Sequence, residues 1–144
     1  MFERLRGIFG RRESPTAEEK SVLRLDPEER AKIGTDQDPL HGYEAAMERH
    51  EAAIRATEHG DTEAAIQLYE KSVAENFVGS HPYEALASLY ERRRKPAEAL
   101  RVTESYIALA RSGTLPRGAQ RSADRKLPSF VARAERYRRA ASVE

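Results

Sequence analysis

Apolar residues in the middle of the chain recur at spacings of three and four. Ala65, Ile66, Tyr69 and Val73 fall on one side of a helix over Thr62 to Glu75. Tyr83, Leu86, Ala87 and Tyr90 form a second such stripe, and Ala99, Leu100, Thr103, Tyr106 and Ile107 a third. The punctuation between stripes is chemically specific. Gly60 can end one helix in a left-handed conformation, and the Asp61 carboxylate is placed to accept a backbone N–H of the next. Pro82, after Ser80-His81, and Pro96 suit first helical turns, where a missing N–H leaves no bond unmade. Strand formers are too sparse to alternate, so the pattern predicts an all-α fold.

The stripes also repeat. Shifting the chain by 34 residues brings Ala53 onto Ala87, Ala65 onto Ala99, Ile66 onto Leu100 and Ala52 onto Leu86. Breakers recur between the halves, His59-Gly60-Asp61 in one copy and Arg94-Lys95-Pro96 in the other. A small residue midway along the first helix, an aromatic a turn later and an alanine early in the second helix resemble the tetratricopeptide repeat; here these are Ala87, Tyr90 and Ala99. The first copy departs from that pattern, with Ala56 at the aromatic position and Phe77 near the terminal proline. The stretch from Glu75 to Glu84 is similar to a junction in short bacterial helical-repeat proteins. The resemblance, over about residues 46 to 111, implies two tetratricopeptide-like helical hairpins, a short α-solenoid.

In such arrays the first helix of each pair lines a concave surface that takes a peptide or helix. The resemblance then assigns to the groove Met47, His50, Ile54 and Glu58 from one pair, and Glu84, Ser88, Glu91 and Arg92 from the other. Members that grip a terminal carboxylate use a basic and asparagine clamp; His50 and Ile54 stand at the corresponding places in the first copy.

The flanks complete the organisation. A helix from about residue 128, started by Pro128 and carrying Phe130, Val131, Ala134, Tyr137 and Ala141 on one side, is expected to cap the second pair. Ser112 to Lys126, rich in Gly, Ser, Pro and Arg, reads as an irregular connection with at most one short turn of helix. Residues 38–144 thus form the domain, and residues 13–37 a polar extension with one helix signal at Asp26-Pro27-Glu28-Glu29. Residues 1–12 are basic and amphipathic: Phe2, Leu5, Ile8 and Phe9 share a helical face beside Arg4, Arg6, Arg11 and Arg12. That segment suits an anionic membrane surface, the chain's own body or a partner groove.

Charge changes the picture of partners. The net +1 divides into +3 over residues 1–12, −11 over 13–91 and +9 over 92–144. Arg92, Arg93, Arg94 and Lys95 end a helix, where cations complement the negative end of the dipole. They also offer phosphate a site, although no aromatic stacking platform accompanies them, so specific nucleic-acid recognition is not expected. The acidic middle opposes any polyanion, leaving weak, salt-sensitive attraction.

Catalytic chemistry is poorly supplied. Cysteine is absent, which excludes disulfides and thiol nucleophiles. His50-Glu51-Ala52-Ala53-Ile54 lacks the second histidine of a zinc helix, and His41, His50 and His59 lie nine residues apart, on alternating helical sides. No glycine-rich phosphate loop or nucleophile elbow is present. Neither enzyme activity nor a cofactor or metal is expected, and the cytoplasm is the expected location. The sequence reads as an adaptor or assembly subunit for a protein or peptide partner. The other class it admits is a basic accessory protein at a membrane surface or on nucleic acid.

Overall fold

A computed structural model describes residues 27–28 and 42–143. Pro27 and Glu28 are helical and exposed; the remainder of residues 1–41, including Phe2, Leu5, Ile8 and Phe9, lies outside the described residues. Five helices follow: α1 Tyr43–Glu58, α2 Thr62–Ala74, α3 His81–Arg92, α4 Pro96–Ala110 and α5 Arg117–Ser142. No strand occurs among the described residues, so the chain is all-α there. Each helix packs against the next in sequence.

The turns follow the expected chemistry. Asp61 accepts the Ala64 N–H at 3.2 Å as the N-cap of α2, and prolines occupy the opening turns of α3 and α4. Both in-pair turns share one backbone design. The Asp61 N–H donates to the Ala56 carbonyl around a left-handed Gly60 (φ 82°), and the Lys95 N–H donates to the Tyr90 carbonyl around a left-handed Arg94 (φ 60°). These pairs of positions are 34 residues apart. A β-carbon costs energy at such a φ, so the second turn carries strain that glycine relieves in the first.

The predicted stripes enclose the core. Ala53, Ala65, Ala87 and Ala99 have no exposed surface, and Leu86 and Val102 are equally buried. Alanine there lets helices approach closely, so added volume has nowhere to go.

Three expectations are corrected. The cap does not start at Pro128: α5 runs unbroken from Arg117, with Pro128 exposed inside it. Proline removes one helical N–H and costs about 3 kcal/mol in a helix interior. Burial on both sides of it offsets that cost, through Ala119, Ser122 and Ala123 before and Phe130, Ala134 and Tyr137 after. The early half of this stripe is made of small residues beside Gly118, so its periodicity is faint in sequence. Only a tight turn around left-handed Gly113, with Ser112 bonded to Thr114, remains of the expected irregular connection. Val131, assigned to the apolar side, is 36% exposed instead.

Candidate functional site

Four of the eight expected groove residues converge. Ile54 and Glu58 from α1, with Ser88 and Arg92 from α3, line a cavity of about 180 Å³. Thr57, Ala85 and Leu89 complete its walls, and Tyr69 of α2 lies beneath. The cavity exists because α1 and α3 both pack on α2 and leave a gap above it. Its interior is mostly apolar, with a carboxylate on the α1 wall and a guanidinium on the α3 wall. Such a lining accepts an apolar side chain and orients a polar backbone around it.

The other four lie elsewhere. His50 is only 2% exposed and therefore does not face a partner. Met47 is partly buried against the core. Glu84 meets Lys126 of α5 at 3.6 Å, and Glu91 accepts the Tyr137 hydroxyl at 2.7 Å and Arg136 at 3.1 Å. The Tyr137 hydrogen bond leads in holding the Glu91 carboxyl below its ordinary range, with Arg136 adding to it. Arg133 also donates to the Ser88 hydroxyl at 3.3 Å, so α5 reaches a residue that lines the α1–α3 cavity.

The basic tract disperses. Arg92 faces the α1–α3 cavity, Arg93 pairs with Glu63 at 2.9 Å, Arg94 lines a separate cavity with Pro96, Arg136 and Tyr137, and Lys95 stands at the N-cap position of α4 without a side-chain cap bond. Consecutive residues around a helix end point in different directions, so these four charges form no common patch. Several later cations meet carboxylates of the same chain at its surface: Arg101 with Glu70 and Glu98, Arg138 with Glu104 and Glu135.

A polar cluster absent from the sequence reading fills the first helix pair. His50 Nε2 lies 2.7 Å from Ser72 Oγ, and Arg49 donates to the same oxygen at 2.8 Å. Arg49 can only donate, so the Ser72 oxygen accepts from it, and the direction of the bond between Ser72 and the imidazole follows the His50 tautomer. Tyr69 and His81 are joined at 2.9 Å, and the His50 and His81 rings are 5.5 Å apart. Burial, then the charges of His81 and Arg49, push His50 down to about 3. A serine and histidine at this distance superficially form a nucleophile and base. Ser72 has no exposed surface, however, and an imidazole so weakly basic is a poor proton acceptor at neutral pH. Among the described residues no group of three or more His, Cys, Asp and Glu side chains is placed to hold a metal.

Thr57, Tyr69, Ala85 and Leu89 were not foreseen in the cavity. Ala85, Ser88, Leu89 and Arg92 share one face at spacings of three and four, a signal present in the sequence. Tyr69 was legible only as core. No described helix is long and apolar enough to cross a membrane. Compared with protein-family models, curated proteins and solved structures, the chain matches none.

Proposed function

We propose that the chain is an adaptor built from two tetratricopeptide-like helix pairs, α1–α2 and α3–α4, capped by α5, and that it holds a peptide or amphipathic helix in the groove between α1 and α3. The observation that carries this reading is the shared cavity of Ile54, Glu58, Ser88 and Arg92, contributed by the two first helices of the pairs. The repeated turn geometry and the fully buried alanines at a spacing of 34 residues support the repeat assignment.

The groove favours a ligand with one large apolar anchor and mixed polarity around it, since Glu58 and Arg92 stand on opposite walls. Selection of a random peptide library on the full chain tests this. Selected peptides should lose at least tenfold in affinity on Ile54→Glu and on Ala85→Arg, with helical circular dichroism retained. Binding unaffected by both substitutions removes the groove from the mechanism.

A further inference from the structure

We infer that the occupant of the groove is acidic: a peptide segment that seats one apolar side chain above Tyr69 and directs a neighbouring aspartate or glutamate to Arg92 of α3 and Arg133 of α5. This rests on the groove reading above and names the chemistry of the partner.

The hydrogen-bond donors around Ser88 carry the argument. Arg133 is half-buried, and its guanidinium donates to the Ser88 hydroxyl at 3.3 Å and to the Tyr137 hydroxyl at 3.0 Å. Both acceptors are neutral, so the charge is held beside the cavity wall without a carboxylate to pair with. Arg92 follows Ser88 by four residues and therefore stands one turn along the same face of α3. No ion pair among the described residues includes Arg92 or Arg133. The neighbouring cations of α5 are matched, Lys126 by Glu84 at 3.6 Å and Arg136 by Glu91 at 3.1 Å, and Glu91 also accepts the Tyr137 hydroxyl. Because the Ser88 oxygen accepts from Arg133, its own proton is left to donate. Donors thus gather where the α3 wall meets α5, and a carboxylate, which accepts several hydrogen bonds and carries the opposite charge, satisfies them.

Glu58 sets the orientation. It lies on the α1 wall of the same cavity and repels an acid placed there, while exposed Arg55, one turn earlier on α1, weakens its field. An acidic ligand therefore turns its carboxylate toward α3 and α5 and leaves the α1 wall to its hydrogen-bond donors. Between the walls, cavities of about 150 Å³ take a benzene ring, so about 180 Å³ accommodates one phenylalanine side chain.

Peptide libraries built around a fixed phenylalanine test this on the full chain, with flanking positions drawn from neutral residues alone, from neutral residues with Asp and Glu, or from neutral residues with Lys and Arg. The acidic library should yield the tightest peptides, and exchanging their acidic residue for its amide should weaken binding about tenfold, as for a hydrogen bond to a charged group. On Arg92→Gln and on Arg133→Gln the same exchange should cost far less, and Arg92 is exposed, so its replacement leaves the core intact. Glu58→Gln should tighten the acidic peptides. Peptides that lose affinity on Ile54→Glu and Ala85→Arg yet show no preference for an acid, or keep that preference on both arginine variants, overturn the acidic assignment and leave the groove as the binding site. Peptides indifferent to Ile54→Glu and Ala85→Arg remove the groove and the assignment with it. A single-stranded oligonucleotide that binds more tightly than any of the peptides at physiological ionic strength, and loses that affinity on the arginine variants, would reassign the cations to phosphate and overturn the peptide assignment.

Discussion

The two helix pairs fill their interiors with different chemistry. In the α3–α4 pair the interior is aromatic and aliphatic: Tyr83 and Tyr106 lie 5.0 Å apart, Tyr106 and Phe130 of α5 4.4 Å, with Leu86 and Val102 beside them. In the α1–α2 pair several of the corresponding positions are small: Ala52 stands 34 residues before Leu86, Ala56 before Tyr90, Ser72 before Tyr106. The missing volume is filled by the His50 ring, edge-on to Phe77 at 4.7 Å, and by Tyr43 stacked on Phe77 at 5.4 Å. Thus a repeat preserves where alanine permits close approach and is free to change what fills the remaining space. The polar filling is tolerated because no buried side-chain donor or acceptor lacks a partner among the described residues.

The largest separation between the pairs should come from truncation. Tyr106→Ala removes a ring that is 1% exposed and in contact with two other aromatics, and by analogy with other buried rings should cost about 3–5 kcal/mol. Ser72→Ala at the equivalent site removes only an oxygen and leaves His50 and Arg49 short of a partner, about 1–3 kcal/mol. Urea unfolding of both variants checks the order; equal losses would mean that the two interiors are not energetically distinct.

Overpacking should instead treat the pairs alike. Ala53→Leu and Ala87→Leu each insert volume at a position with no exposure and should destabilise by about 1–3 kcal/mol. A melting temperature unchanged in Ala87→Leu, with helical circular dichroism intact, contradicts the close packing assigned to that site.

Acid should distinguish them again. Burial holds the His50 imidazole down to about 3 in the folded chain, well below its ordinary 6.5, so the unfolded chain takes up the proton first. The contribution of this site is complete above about pH 6.5, falls as pH drops toward 3 by at most about 1.4 kcal/mol per pH unit, and levels off below. Replacing His50 with glutamine should flatten this slope in unfolding curves taken at successive pH values. A slope unaltered by the substitution assigns acid lability to the carboxylates instead.

The smallest effect concerns the twin turns. Arg94→Gly relieves a left-handed β-carbon and should stabilise by about 1 kcal/mol, whereas Gly60→Ala should destabilise by a similar amount. Matching signs in thermal melts would show that the shared backbone design carries different strain than its φ angles imply.

Helix positions, caps and the α3–α4 core were legible because they depend on neighbours in sequence: Asp61 caps a helix three residues away, and apolar stripes announce a buried face wherever that face turns. Half of the cavity lining was legible for the same reason, since Ile54, Glu58, Ser88 and Arg92 lie on edges of helices whose phase the stripes fix. The remaining placements depend on elements distant in the chain. His50 looked like a groove residue until Ser72, Phe77 and His81 closed around it. Glu84 and Glu91 looked open until Lys126, Arg136 and Tyr137 arrived from α5. Pro128 reads locally as a helix start, and only packing on both sides of it keeps α5 continuous. Local propensity settled what each segment becomes; which faces are left open was decided by tertiary contacts, because burial of a polar or helix-breaking residue depends on partners supplied from elsewhere in the fold.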